Sequence, residues 1–302
     1  MSAVLSLEPS YYDALKRLTL ELAGITLGDD HTFLVETRLS ALARKEGFEN
    51  LSDMIDQLFS RGQTRLAIQI VSALLERATQ FFSDRSGFEI LGDKLLPTLH
   101  PLYRGGTLRI LCYGCSSGQE VYSVAILASR MKDVFPDMNI EIIGVDYPSL
   151  ALERAKEGRF THFEVQRGLP IRHLVDYFTR DGEDWVVNES LRAMVSFADH
   201  NLLSDPNSLG TYQIVMFRGR LSQYSPAAVV RIMRHLSALT SANGYLMLGS
   251  QDTIGKLNYG FEKKPIALGC YVKPAEIKIE AVIEAAPVRS APPVEYKDMY
   301  RA

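Results

Sequence analysis

The chain has 302 residues, a formal charge of -3 and a hydrophobic fraction of 46%, values that fit a globular protein with one large and one small domain. This charge excludes the strongly basic surface with which proteins hold nucleic acid or a bilayer. No apolar run approaches the ~20 residues of a membrane span, and the first residues lack the pattern of a signal peptide. Three cysteines, an odd number, favour a reducing compartment. We therefore expect a cytoplasmic protein that does not enter the membrane, and we expect it as a monomer.

The first part of the chain carries the spacing of short helices. Apolar residues from Tyr11 to Leu22 recur at helical intervals, and Gly24 is a natural stop. Three further apolar stripes follow before residue 76. The pattern predicts a small all-helical domain over residues 1–80, built as a bundle of four helices.

A different alternation begins after Gly106. Short apolar runs end at Gly114 and Asp146, and further strand candidates lie at 193–197, 212–217 and 244–248. Strands alternating with helical stretches predict an α/β fold of the Rossmann-like class, with a mostly parallel sheet covered by helices. Right-handed crossovers then place the strand ends that carry Gly114 and Asp146 side by side at the carboxyl edge of the sheet.

Two stretches stand outside this alternation. Residues 158–205 are rich in aromatic and charged side chains, which predicts a small inserted subdomain. Residues 274–302 are rich in Pro, Ala and Glu, which predicts a flexible tail. The α/β domain is therefore expected to span residues 81–273.

Cys112 and Cys115 have the C-x-x-C spacing of a metal or redox pair. A zinc site needs about four ligands, and the third cysteine, Cys270, has neither a paired cysteine nor a histidine cluster near it. We therefore predict two buried thiols and no metal site.

The strongest chemical signal is the segment Gly-Cys-Ser-Ser-Gly-Gln-Glu at 114–120, directly after the first predicted strand. Small residues let the backbone turn tightly, and the next helix offers its N-terminal N–H groups. The G-x-G-x-x-G of a dinucleotide fold is not present, which favours an adenosine-containing ligand without a pyrophosphate. Asp146 would accept hydrogen bonds from ribose hydroxyls, and Glu120 or Gln119 would bind an ammonium group. A plain strand-to-helix turn is the alternative.

The same segment, extended to Gly-Cys-Ser-Ser-Gly-Gln-Glu-Val-Tyr-Ser at 114–123, resembles the G-C-S-x-G-[EQ]-E-x-Y-S signature of CheR-type chemotaxis methyltransferases. Four other segments resemble this family in order and spacing. They are Arg-Ala-Thr-Gln-Phe-Phe-Ser at 77–83, Phe-Glu-Val-Gln-Arg-Gly-Leu-Pro at 163–170, Phe197 with Asn-Leu-Leu at 201–203, and Gly-Tyr-Leu-Met-Leu-Gly at 244–249. The resemblance covers residues 15 to 273.

The resemblance implies a Rossmann-like domain that binds S-adenosylmethionine and releases S-adenosylhomocysteine. It implies methyl transfer to glutamate side chains of a chemoreceptor, with the helical domain in contact with the receptor's cytoplasmic helical region. The positions that it assigns to the cofactor are Thr79, Gly114, Gln119, Glu120, Asp146, Asn201 and Leu202.

The chain departs from the family where the acceptor is expected. The family's F-F-R ends here in Ser83, and its C-R-N-V-x-I-Y-F reads Phe-Arg-Gly-Arg-Leu-Ser-Gln-Tyr at 217–224. Gly219 therefore stands in place of Asn, and Gln223 in place of Tyr. Removing one transition-state donor commonly lowers a rate by about 10²–10³.

Three residues remain as candidates for the catalytic groups. Arg218 is kept, Tyr224 stands one position after the expected phenol, and Arg77 offers a substitute guanidinium. The departures leave two alternatives open. One is a catalytically impaired relative that binds the cofactor or a receptor as a regulator or scaffold, and the other is a methyltransferase with a different acceptor.

Overall fold

The computed structural model of the protein describes residues 7–75, 79–255, 258–264 and 269–275. These residues form two compact units, with 7–75 in the first and 79–275 in the second. The tail predicted for 274–302 lies, from residue 276 onward, outside the described residues. Within the described ranges, no helix is both long and apolar enough to cross a membrane.

The first unit consists of four α-helices, as the sequence predicts. They are α1 (Pro9–Ala23), α2 (Thr32–Lys45), α3 (Leu51–Arg61) and α4 (Thr64–Leu74). Each helix buries an apolar face, and Leu15, Leu39, Leu58 and Ile70 are all 0% exposed. Gly24 follows α1 in the left-handed conformation (φ 71°), which glycine adopts without the steric cost of a Cβ.

The second unit contains one large sheet, one small sheet and the helices that cover them. The strands are β1 (Thr107–Tyr113), β2 (Asn139–Asp146), β3 (Arg159–Thr161), β4 (Phe178–Asp181), β5 (Asp184–Val187), β6 (Val195–Asp199), β7 (Tyr212–Phe217), β8 (Thr240–Leu248), β9 (Glu262–Lys263) and β10 (Cys270–Val272). The helices are α5 (Arg85–Ile90), α6 (Leu96–Leu99), α7 (Gln119–Met131), α8 (Leu150–Glu157), α9 (His162–Gln166), α10 (Ile171–Tyr177), α11 (Glu189–Arg192) and α12 (Pro226–Leu239).

The large sheet has the strand order β6-β2-β1-β7-β8-β10-β9. Its first five strands are parallel, and β10 and β9 run antiparallel to their neighbours. The chain builds outward from β1 to β2 and β6 and then returns to the other side of β1 at β7. The order therefore reverses between β1 and β7, and open α/β sheets bind ligands at the carboxyl ends of the strands at such a point. The predicted α/β fold is confirmed.

The small sheet is antiparallel, with the order β3-β5-β4, and it lies in the stretch predicted as an insertion. That stretch also contains β6, which belongs to the large sheet and pairs with β2 from Ile142 opposite Val195 to Asp146 opposite Asp199. Because β6 is an edge strand, its side chains are mostly half-exposed or exposed, and its sequence lacks a continuous apolar run. The chain thus returns to the large sheet earlier than residue 205.

The inserted sheet packs on the segment that precedes α5. Phe81 is 0% exposed, and its ring lies 5.0 Å from Phe160 and 5.6 Å from Phe178. Its backbone N–H donates to the Arg167 carbonyl oxygen at 3.0 Å. A Cβ at Gly168, where φ is +84°, would lie 2.0 Å from the Phe81 carbonyl oxygen. Only glycine therefore fits where these two segments meet.

Gly168→Ala is expected to lower the free energy of unfolding by about 3 kcal/mol, because a left-handed alanine costs about 1 kcal/mol and the clash adds about 2. The matched control is Gly182→Ala, since Gly182 has a φ of +62° with nothing within 4 Å of its Cβ position. The control should lose only about 1 kcal/mol. Urea unfolding followed by the fluorescence of Trp185 in β5, the single tryptophan, measures both. Equal losses in the two variants would contradict the packing described.

Candidate cofactor site

The turn between β1 and α7 has the shape that the sequence predicts. Gly114 and Gly118 have φ values of +81° and +85°, which glycine tolerates and most residues do not. A Cβ at Gly114 would lie 3.4 Å from Phe217, 3.6 Å from Leu202 and 3.7 Å from the Cδ of Arg220. The turn is therefore surrounded by the segments that follow β6 and β7, at the carboxyl edge of the sheet.

The ends of β1 and β2 lie side by side, as the crossover rule predicts. The Gly114 N–H donates to the Val145 carbonyl oxygen at 2.7 Å. Asp146 is 4% exposed, and its carboxylate accepts hydrogen bonds from the backbone N–H groups of Ser116 and Tyr147. A carboxylate offers about four acceptor sites, so one group can hold the turn and also accept ligand hydroxyls.

Asn201 and Leu202 reach the same edge after β6. Leu202 is 6% exposed, and its carbonyl oxygen accepts a hydrogen bond from the Tyr113 hydroxyl at 3.3 Å. The Nδ1 atom of His235 lies 2.9 Å from the same oxygen. The side chain of Asn201 accepts a hydrogen bond from the N–H of Leu203 at 3.0 Å. Contacts from β1 and α12 thus fix this segment beside the glycine turn.

A series of hydrogen bonds that begins at Gln119 joins the start of α7 to the segment before α5. Gln119 lies at the first position of that helix. It is 1% exposed, its side-chain oxygen accepts from the Ser117 hydroxyl, and its carbonyl oxygen accepts from the Ser123 hydroxyl, both at 2.7 Å. The Ser123 hydroxyl oxygen in turn accepts from the Phe82 N–H at 3.0 Å. Thr79 is half-buried three residues before Phe82. The segment before α5 is therefore tied to α7 by the buried Ser123.

Glu120 is a carboxyl group in a mostly enclosed position, with a side chain 13% exposed. Its Oε2 lies 3.7 Å from the Nη1 of Arg218. Burial raises the pKa of Glu120, and the positive charges of Arg218 and Arg220 oppose that rise. The acid is therefore placed to pair with a cation in a poorly solvated position.

The Arg218 guanidinium is buried, with a side chain only 3% exposed. Its Nη2 donates to the carbonyl oxygens of Ser83 at 2.7 Å and Asp84 at 2.8 Å. The same nitrogen lies 3.3 Å from the Asp84 carboxylate, and the guanidinium carbon lies 4.7 Å from the ring centroid of Phe88. A Cβ at Gly87 would lie 2.8 Å from Nη2. Within the described residues, Nε and Nη1 have no hydrogen-bond partner.

Asp84 connects this guanidinium to the end of β8. Its carboxylate accepts hydrogen bonds from the Ser86 hydroxyl at 2.8 Å and from the Ser250 N–H at 2.9 Å. Burial alone would raise the pKa of Asp84, but these hydrogen bonds and the Arg218 charge outweigh it, so the pKa lies below its ordinary value. Asp84 is therefore ionised at neutral pH and pairs with Arg218.

Of the two residues that replace the family's Asn and Tyr, Gly219 has open space around its Cβ position. Gly219 has a φ of +69°, and a Cβ there would meet nothing within 4 Å. Its N–H donates to the Asp252 carboxylate at 2.6 Å. Gln223 is half-buried in a short 3-10 turn, Leu221–Gln223.

Of two further predicted catalytic candidates, the structure describes Tyr224 but not Arg77. The Tyr224 ring packs 6.2 Å from the ring of Phe217, in the apolar cluster that contains the α12 side chains. Arg77 lies outside the described residues. The catalytic roles of Arg218, Tyr224 and Arg77 stay predictions.

Arg220 lies at the glycine turn, although the sequence pattern predicts no role for it. Besides its Cδ contact at the Gly114 position, its charge opposes the burial that raises the pKa of Cys115 and of Glu120. The family pattern has valine at this position, so an arginine in its place was a readable signal. Cys112 and Cys115 themselves are buried free thiols, as predicted.

The residues at this edge fit S-adenosylmethionine. A strand-end carboxylate suits ribose hydroxyls, an enclosed acid suits an ammonium group, and a glycine turn leading into a helix lets a ligand approach the backbone closely. The apolar side chains of Leu202 and Phe217 line the turn, as an adenine ring requires. This fold and site define a Rossmann-like methyltransferase that uses S-adenosylmethionine as its cofactor.

The model of the SAM binding domain of the CheR methyltransferases matches residues 77–269, and the chain belongs to this family. Chemotaxis protein methyltransferase Cher2 of Pseudomonas putida is 30% identical over 250 residues, which are 80% of this chain and 90% of the relative. Chemotaxis protein methyltransferase 1 of Pseudomonas aeruginosa is 31% identical over 80% of this chain and 90% of its own length. The corresponding protein of Vibrio cholerae is 28% identical over 87% and 95%.

Asp146→Ala is expected to weaken binding of S-adenosylhomocysteine by about tenfold to a hundredfold, because it removes charged acceptors for the ribose hydroxyls. Asp199→Ala is the matched control, since Asp199 ends the neighbouring strand directly opposite Asp146 but is exposed. The control should change the affinity by less than about twofold. Titration calorimetry measures both, and equal affinities in the two variants would contradict the assignment of Asp146.

Proposed function

We propose that this chain transfers methyl groups from S-adenosylmethionine to glutamate side chains in the cytoplasmic helical region of a chemoreceptor, leaving S-adenosylhomocysteine. The observation that supports it is the meeting of the family-like segments around one edge of one sheet. Phe81 bonds to Arg167, Phe82 to Ser123 and Arg218 to Ser83. The similar proteins in P. putida, V. cholerae and P. aeruginosa are named chemotaxis protein methyltransferases.

The reaction requires the protein to align the reactants rather than to transfer a proton. Bound S-adenosylmethionine supplies a methyl group made electrophilic by its sulfonium. A glutamate side chain has an ordinary pKa near 4.3 and is ionised at neutral pH, so no strong general base is needed. The protein then has to orient the carboxylate and exclude its water shell. Arg218 contributes by holding the segment of Ser83 and Asp84 against the sheet.

We assign the receptor contact to the helical unit. Two large apolar side chains near the start of α2 support this, because Phe33 is 80% exposed and Leu34 is 42% exposed. Exposed neighbouring apolar side chains are a common mark of a protein-binding surface. Lys16 is a weaker candidate for contact with an acidic receptor, since it already pairs with Asp29 and lies 3.7 Å from Asp13.

A catalytically impaired regulator or scaffold is the second candidate function. It is favoured by the open space at Gly219 and by Ser83, which offers Arg218 only its backbone carbonyl. These two positions and Gln223 carry Asn, Arg and Tyr in the family pattern. The glycine turn at 114–120 keeps the family pattern, so loss would be confined to transfer while cofactor binding persists.

The chain is expected to transfer labelled methyl groups from S-adenosylmethionine to its chemoreceptor, with the label released by mild base as methyl esters are. A receptor whose acceptor glutamates are replaced by alanine should stay unlabelled, and Asp146→Ala should lower the rate by about tenfold or more at limiting cofactor. A chain that binds S-adenosylhomocysteine yet leaves the intact receptor unlabelled would rule out the proposed activity.

The second candidate predicts that the triple change Ser83→Arg, Gly219→Asn and Gln223→Tyr raises the transfer rate by about 10²–10³. Asparagine tolerates the left-handed conformation, and position 219 has room for it. Gly255→Asn serves as the control, because Gly255 has a similar φ of +67° and an equally open Cβ position. A triple variant no faster than the unchanged chain would refute the idea that these positions limit the rate.

A further inference from the structure

Arg220 has features that neither the fold nor the family pattern explains. It is half-buried just after Gly219, and its Cδ lies 3.7 Å from the Cβ position of Gly114. Among the residues that the structure describes, no carboxylate lies within 4 Å of its guanidinium. A cation held above a ligand-binding turn without an acidic partner is placed to meet an anion from outside the chain.

The charges around the turn are complementary to an amino acid. Glu120 stands at the start of α7, and the Arg220 side chain lies beside Gly114 in the same turn and acts on both Glu120 and Cys115 electrostatically. A zwitterion such as the methionine end of the cofactor carries one ammonium and one carboxylate a few ångströms apart. One acid and one guanidinium at the same turn match both charges.

Arg218 also has its guanidinium near Glu120, but its contacts indicate a structural role and not ligand binding. Its Nη2 is occupied by the carbonyl oxygens of Ser83 and Asp84. Its Nε and Nη1 are buried, so a ligand oxygen cannot reach them unless the site rearranges. Arg218 therefore acts as a positioning residue, whereas Arg220 is partly exposed.

We propose that Arg220 binds the carboxylate of the methionine end of S-adenosylmethionine while Glu120 binds its ammonium. The family pattern has valine at position 220, so the guanidinium beside this turn is particular to this chain. Arg220 is a cofactor-positioning residue that the sequence pattern does not mark. The proposal concerns the cofactor alone and holds whatever the methyl acceptor is.

A comparison of two ligands isolates the contribution of the carboxylate to binding. S-adenosylhomocysteine carries both charges, and its decarboxylated analogue keeps the ammonium but lacks the carboxylate. Titration calorimetry on the full chain should show that Arg220→Met weakens binding of S-adenosylhomocysteine by about tenfold to a hundredfold, as expected for a lost charge-assisted hydrogen bond. Binding of the decarboxylated analogue should change by less than about twofold.

Matched variants make the result specific. Arg231→Met, at an exposed position of α12, removes the same charge and should affect neither ligand. Arg220→Lys keeps the charge without the fork of donors and should lose less affinity for S-adenosylhomocysteine than Arg220→Met. Glu120→Gln should weaken both ligands, because both carry the ammonium.

Four outcomes would overturn the assignment. Arg220→Met could weaken both ligands equally, it could weaken neither, or the unchanged chain could fail to bind S-adenosylhomocysteine. An Arg218→Met variant that lost affinity only for S-adenosylhomocysteine, with Arg220→Met unaffected, would also overturn it. A chain that shows the expected pattern but methylates no receptor would refute the proposed function and leave this assignment intact.

Discussion

The second unit depends on one buried guanidinium. Arg218 follows β7, and its Nη2 reaches backbone carbonyls 135 and 134 residues earlier in the chain. A buried charge is costly unless it is paired and hydrogen-bonded, and here the Asp84 carboxylate, two carbonyl oxygens and the Phe88 ring provide that environment. Removing one partner of such a buried pair typically costs about 3–5 kcal/mol. The contact therefore fixes the segment before α5 against the sheet.

The segment that Arg218 holds is also hydrogen-bonded to two other parts of the site. Through the Asp84 carboxylate, the same segment is joined to Ser250 at the end of β8. Through Phe82 and Ser123, it is joined to α7 and so to the glycine turn. Elements widely separated in the chain are thus held at one edge by contacts within the protein itself. Preorganisation of this kind is what a methyl transfer without proton chemistry needs from a protein.

The chain keeps the family pattern in one part of the site and departs from it in another. The cofactor side rests on backbone hydrogen bonds and glycines, such as the Gly114 turn and the Asp146 carboxylate. The positions where the chain departs from the family pattern include Ser83 and Gly219, the latter with open space around its Cβ position. The glycine turn therefore keeps the family pattern, and the departures lie in the segments before α5 and after β7.

Local patterns were enough to predict the frame of the molecule. The four helices, the parallel strands and the adjacency of Gly114 and Asp146 follow from periodicity and from the handedness of crossovers. The strand predicted at 193–197 corresponds to β6 (Val195–Asp199). The Arg218 contacts could not be predicted, because a guanidinium that binds main-chain carbonyls leaves no pattern in the sequence. The left-handed Asp84 (φ 50°) and the place of Arg220 likewise depend on tertiary contacts between distant segments.

The most direct test of this account is a crystal structure of the full chain with S-adenosylhomocysteine. We expect the ribose hydroxyls on the Asp146 carboxylate, the ammonium at Glu120 and the carboxylate at Arg220, with Arg218 still bound to Ser83 and Asp84. An adenosyl group bound away from the carboxyl ends of β1 and β2, or a methionine end that contacts neither Glu120 nor Arg220, would contradict it.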